Sequence, residues 1–293
     1  SFFARVNYDY DNKYLLSLSI RRDESSKFHK DNRVGYFPSV SAGWNVHQEK
    51  WFQNPVMSKL KIRASYGELG ANFLNPYNFD AIAYGPIPYT VGGERYVTGR
   101  AAYLKSKDLK WETAKTTDIG IELGFFNNDL TLSLDYFVKK NVDLLAQIDL
   151  NLSSGQIFEI NSSREKPYVN TASVKNTGWE FMMNYRKQLT KDFHIDATFN
   201  IATLKNKVLS LGENVQPITS GAMSSYFNDA ASITMPGEAI GSFYGYKIDG
   251  FDAEGNFIFA DTDKNGVVNA NDKVILGSPI PDFTYGLNIN MEY

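Results

Sequence analysis

Three groups of residues have side chains and spacing suited to chemistry. The densest is Asp261-Thr262-Asp263-Lys264-Asn265-Gly266-Val267-Val268-Asn269-Ala270-Asn271-Asp272. It fits the calcium-loop template D-x-[DN]-x-[DN]-G with an acidic residue at the twelfth position. Asp261, Asp263 and Asn265 would offer side-chain oxygens, Val267 its carbonyl, Asn269 a direct or water-borne ligand, and Asp272 the closing carboxylate. Gly266 permits the sharp turn that such a loop needs. Asp272 is shorter than the glutamate usual at the twelfth position, and no helices flank the loop. A polar turn held by Asx hydrogen bonds, with no metal, accounts for the same residues.

The second group is aromatic. Tyr84, Tyr89, Tyr96, Phe243, Tyr244 and Tyr246 lie in long, glycine- and proline-containing stretches and could stack on sugar rings or peptide side chains. Rings that give long loops a core of their own would look the same. The third group is titratable. His29, His47 and His194 are far apart, and neither a nucleophile elbow nor HExxH occurs. Glu122 and Asp135 would face each other across a hairpin as a glycosidase pair does. Polar wall residues explain them as well, and enzymatic activity is not expected. Gly92-Gly93 lacks the strand–loop–helix setting of a phosphate loop.

The elements that hold these residues are strands. In Thr117–Val138, Ile119, Ile121, Leu123 and Phe125 alternate with Asp118, Gly120, Glu122 and Gly124. After the turn residues Phe126-Asn127-Asn128-Asp129, Leu130, Leu132, Leu134, Tyr136 and Val138 alternate with Thr131, Ser133 and Asp135. Period two over arms of this length is the β signal, and about 9–11 residues suffice for a tilted strand to cross a bilayer. The same rhythm runs through Phe2–Tyr10, Tyr14–Arg21, Val34–Val46, Leu60–Tyr66, Val174–Arg186, Asp192–Leu204 and Phe283–Tyr293. Pro38 interrupts the third of these, as an edge position or a bulge.

About nine strands result, joined alternately by short turns and by long excursions at Gly67–Trp111, Lys139–Ser173 and Lys205–Asp282. Porin-type barrels alternate short periplasmic turns with long extracellular loops in this way. Tyr10 and Tyr14, Phe125 and Phe126, and Tyr185 and Phe193 gather beside the short turns, as an interfacial aromatic girdle would. The fold expected is all-β, an antiparallel transmembrane β-barrel. A soluble sandwich, whose half-buried strands also alternate, is the rival.

Composition narrows the field. No run reaches the ~18 apolar residues of a membrane helix, and a mean hydropathy of -0.34 suits alternating strands. Cysteine is absent, which removes thiol catalysis and thiolate metal sites. A net charge of -3 leaves no basic footprint for nucleic acid. Both ends fall inside alternating runs, so the expectation is a piece of a longer polypeptide.

A family resemblance enters through Gly241-Ser242-Phe243-Tyr244-Gly245-Tyr246-Lys247-Ile248-Asp249-Gly250, the Asp261–Gly266 run, and Asn271–Gly286 (NDKVILGSPIPDFTYG). Together with Val34–Trp44 (VGYFPSVSAGW) and Leu60–Gly70 (LKIRASYGELG), this succession resembles the C-terminal portion of SusC/RagA-like TonB-dependent outer-membrane transporters of Bacteroidetes. The resemblance covers most of the chain. It implies a C-terminal part, residues 1–293, of a barrel of about 22 strands with a plugged lumen, and an extracellular loop insertion at 205–282. It also implies import of glycans or peptides, a SusD-like surface lipoprotein as lid, and coupling to TonB. The plug, the TonB box and the remaining strands would lie outside this sequence. Two other readings stay open: a soluble, calcium-stiffened β-sandwich that binds carbohydrate, and a structural or adhesive surface barrel.

Overall fold

The computed structural model describes residues 1–74, 76, 83–101, 106–147, 159–160, 163–164, 168–212, 215–221 and 230–293, with backbone alone at 83–87, 89, 98–101, 147, 159–160 and 163–164. Ten strands form one antiparallel sheet. Along its path run β1 (Phe2–Tyr10), β2 (Tyr14–Glu24), β3 (Val34–Asn45), β4 (Met57–Ala71) and β5 (Glu112–Phe125). The path continues through β6 (Leu130–Gln147), β7 (Tyr168–Gln188), β8 (His194–Thr203) and β9 (Phe283–Glu292). Each pairs with the next, so the sheet is a meander. The tenth strand, Lys205–Ser210, prolongs β8 along the same edge of β7. The third excursion thus leaves the sheet after Ser210. The path has two free ends, β1 and β9, so the sheet is a sector of wall rather than a closed barrel.

Short connections sit at one end of the wall. Asp11 and Asn12, both at positive φ, turn β1 into β2. Phe126, Asn127 and Asn128, at φ 53°, 57° and 69°, turn β5 into β6, and the asparagines suit that left-handed backbone. Beside the first turn Tyr10, Tyr14 and Trp44 stack in succession, with centroids 6.4 Å apart at each step. The Tyr14 hydroxyl and the Trp44 indole N–H both donate to Glu49. Pro38 lies in an unbroken β2–β3 ladder, one residue beyond the point where pairing with β4 begins at Ser39. Its missing N–H therefore falls where the second ladder has stopped.

The strands run farther toward the long connections than their apolar alternation does. β5 begins at Glu112, β6 ends at Gln147 and β7 begins at Tyr168. Burial is also concentrated at that end. Phe28 from the β2–β3 connection and Leu74 and Leu109 from the β4–β5 connection pack with Trp111, Leu145 and Tyr168, and Ala172, Val174, Val208 and Leu211 form a second cluster.

The apolar residues in the body of the wall have no such cover. Ile119 is 55% exposed, Trp179 51% and Leu287 65%, and Ile121, Leu132 and Phe199 are partly exposed. Among the described residues no second sheet buries this face. This corrects the sandwich reading, in which that face would be the core. A contiguous exposed apolar face of this kind marks a surface that meets a partner or a membrane. Hydrocarbon accounts for it.

Candidate functional site

The opposite face of the wall is polar and charged. Its floor on β2–β4 consists of small residues, with Ser17, Ser41 and Ser65 in one row and Ser19, Ser39 and Gly67 in the next. Beside it, β4–β6 carry a compact ion cluster. Register aligns Gly43, Arg63, Gly120, Asp135 and Glu180 across five strands. Gly120 has no side chain, so Arg63 of β4 passes over it and reaches Asp135 of β6, Nη2 to Oδ1 2.7 Å. Its Nε lies 3.3 Å from Glu122 and its Nη1 3.4 Å from Asp118. Lys59 Nζ is 2.7 Å from the second oxygen of Glu122, and Lys61 lies 3.9 Å from the first. The Ser133 hydroxyl donates to the remaining oxygen of Asp135.

Three cations and three carboxylates thus neutralise one another on this face. Glu122 and Asp135 do not stand opposite each other. The four-residue turn pairs Phe125 with Leu130, which sets Glu122 against Ser133 and Asp135 against Gly120. Both carboxylates are held by Arg63, an arrangement that leaves neither poised as a free acid or nucleophile. His194 stands two strands beyond the cluster, on β8 beside the short turn from β7, paired with Gln188.

The third excursion carries the remaining candidates. Its four-stranded sheet comprises Ile218–Ser220, Ser232–Thr234, Ser242–Tyr246 and Lys273–Gly277, paired in that order. Phe243 is half-exposed, Tyr244 partly buried, and Tyr246 packs against Phe259 at 5.5 Å with the Lys273 ammonium 5.3 Å from its ring. Tyr96 belongs to a separate hairpin, Ala83–Val91 with Glu94–Ala101, whose turn is Gly92-Gly93. Those glycines, both at positive φ, make a hairpin turn. The Tyr96 hydroxyl donates to Glu94. The side chains of Tyr84 and Tyr89 lie outside the described residues. One aromatic group escaped the sequence reading. Phe251, Phe257 and Phe259 form a ladder on the short hairpin Ile248–Phe251/Phe257–Phe259, with centroids 5.4 and 6.3 Å apart.

The Asp261–Asp272 loop brings carboxylate oxygens of Asp261, Asp263 and Asp272 within 4.8 Å of one another. Each is also a backbone acceptor. Asp261 accepts from the N–H groups of Asn265 and Gly266, and Asp263 from that of Asn265. Asp272, completely buried, accepts from Thr262, Asp263 and Asn269. The Asn269 N–H bond, with those of Asp263 and Thr262, holds the Asp272 carboxyl below the usual carboxylate range. Asn265 accepts from the Val267 N–H, and the Asn269 amide donates to the Val267 carbonyl. The Asx network is therefore complete without an ion, while the three carboxylates converge as hard-oxygen ligands must.

Comparison with known proteins places this geometry. Residues 1–293 match the family model described as "TonB dependent receptor-like, beta-barrel". The chain is 35% identical to "TonB-dependent receptor P3" of Formosa agariphila and 32% identical to "TonB-dependent receptor SusC" of Bacteroides thetaiotaomicron. Both alignments cover 100% of this chain and 30% of the relative. Among solved structures, the RagAB peptide importer in its "open-open" state superposes with a TM-score of 0.83 at 23% identity, over 99% of this chain and 30% of that one. The chain thus spans about a third of the length of the relatives it matches.

Proposed function

Because the chain belongs to the TonB-dependent receptor β-barrel family, we propose that it supplies part of the wall of an outer-membrane nutrient importer of the SusC type. The observation that carries this reading is the single sheet with an uncovered apolar face and a self-neutralised charged face. The first belongs against lipid, the second against a wet lumen. The long connections would be extracellular and meet the substrate, an oligosaccharide or a peptide. A SusD-like lipoprotein would cover them, and TonB would act through a region outside this chain. A SusC relative and a fold shared with a peptide importer support this class of cargo.

The wall residues act by position and not by catalysis. Arg63, Lys59 and Lys61 hold the acidic side chains in place and keep the lumen polar without a net local charge. We extend the proposal to calcium on the Asp261–Asp272 loop, which would stiffen the excursion by bridging Asp261, Asp263 and Asp272. The test is genetic. Deletion of the full-length gene should abolish growth on either an oligosaccharide or a peptide mixture as sole nutrient, and the intact gene should restore it. Unchanged growth and uptake on both classes would contradict the proposal.

A further inference from the structure

One row on the apolar face breaks the apolar pattern. Register sets Lys115 against Lys140, Lys140 against Lys175 and Lys175 against Lys207. Four lysines from four adjacent strands therefore stand side by side. Glu68 of β4 ends the row, its carboxylate 3.1 Å from the Lys115 ammonium. One step closer to the middle of the wall, Lys205 pairs with Thr177. Lys115, Lys140 and Lys175 each precede or follow an apolar-face residue by four positions (Ile119, Tyr136 and Trp179), so all share that face. The Tyr136 and Trp179 rings, centroids 4.8 Å apart, lie about 13 Å along the strands from the lysines.

Like charges directly opposed on neighbouring strands destabilise a sheet. Here three such pairs follow one another. Lys115 has its glutamate, but Lys140, Lys175, Lys205 and Lys207 have no ion-pair partner among the described residues. Lys140, Lys205 and Lys207 are exposed. The row lies at the long-connection end, beyond the aromatic pair and so at the polar border of the leaflet, where lysine stems lie along apolar surface and their ammonium groups reach the headgroups. Anionic headgroups of the surrounding leaflet would supply the countercharge that these lysines lack among the described residues.

We propose that Lys140, Lys175, Lys205 and Lys207 form a docking row for phosphate-bearing lipid headgroups of the leaflet on the long-connection side. The inference rests on the membrane reading of the wall. A lipid fits better than a free anion because the ammonium groups are strung across several strands on an open surface flanked by rings. They do not converge on one pocket.

The test uses the full-length protein in detergent micelles, with bis-phosphorylated lipid A as probe and its dephosphorylated form as control, read by native mass spectrometry. The wild type should retain the phosphorylated form about tenfold more, and K140Q/K175Q/K205Q/K207Q should lose that excess. The corresponding four-arginine variant should stay within about twofold of wild type, and K139Q, on the other face, should change nothing. Equal retention of both lipids, or an unchanged glutamine variant, would overturn the proposal. So would displacement of lipid A by millimolar inorganic phosphate. If the glutamine variant does not assemble, the wild type still decides: retention should fall steeply with ionic strength, and salt-independent retention would contradict the row. Failure of the membrane reading would show separately, as a protein that stays dispersed without detergent.

Discussion

Arg63 and Asp135 form a 2.7 Å ion pair although their strands are not neighbours, because the residue between them in the row is Gly120. A Cβ at Gly120 would overlap Asp135 Oδ1 and come within 3.0 Å of Arg63 Nε. Gly120→Val should therefore break the cluster and expose its carboxylates to one another. With Arg63 more than a third exposed, the cost is about 1–3 kcal/mol rather than that of a buried pair. Denaturant unfolding of the full-length protein in micelles measures it. A double-mutant cycle of Arg63→Ala and Asp135→Ala should give a coupling of at least about 0.5 kcal/mol, and additive effects would show that the pair is idle.

The two faces should respond differently to the same substitution. Leu134→Lys places a charge on the apolar face at the centre of the apolar run Leu130–Val138 of β6 and should cost about 2–4 kcal/mol of folding in lipid. Ser65→Lys, on the floor of small residues, should cost well under half as much. Refolding yield and unfolding midpoints in lipid bilayers check both. Equal sensitivity at the two positions would contradict the assignment of faces.

The loop at Asp261–Asp272 should loosen in acid. The Asp272 carboxyl is held below the ordinary range mainly by the Asn269 N–H. A carboxylate depressed in the folded state stabilises above its unfolded pKa of about 3.9, and that stabilisation is lost as pH falls through the folded value. Hydrogen exchange at Thr262, Asp263 and Asn269, corrected for intrinsic rates, should be protected at pH 7 and lose protection only below about pH 4. Asp272→Asn should lower protection at neutral pH as well.

Calcium on this loop has its own test. Calorimetric titration of the full-length protein should show one calcium site that Asp261→Asn with Asp263→Asn removes. Both are Asx-competent, so the turn itself should survive that change. An identical titration for the variant would mean that the loop is an Asx turn alone.

Much of the wall is legible in the chain because one face meets hydrocarbon. Ile119 to Phe125 and Leu130 to Val138 alternate without a break, and the strands follow them. Beyond Val138 the strand continues through Lys139 and Lys140, yet the pattern disappears. Lys139, Lys140 and Asn141 put polar residues on both faces, and a register shift at the positive-φ Asp143 follows, so hydropathy no longer reports a pairing that backbone hydrogen bonds maintain. The Arg63–Asp135 contact was hidden for a different reason. It depends on the register of three strands at once, and the hairpin turn shifted Asp135 from Glu122 to Gly120. The Phe251–Phe257–Phe259 ladder sits on strands of three and four residues, too short for any periodicity to emerge.

The most direct measurement is lipid and water accessibility, residue by residue, along a wall strand. Spin labels placed singly from Thr117 to Phe125 in the full-length protein, reconstituted in a bilayer, can be relaxed by oxygen from the lipid side or by a nickel chelate from the water side. Oxygen should dominate at 119, 121 and 123, and nickel at 118, 120 and 122, alternating at every step. Uniform accessibility along the strand, or low values at all positions as in a protein core, would contradict the account.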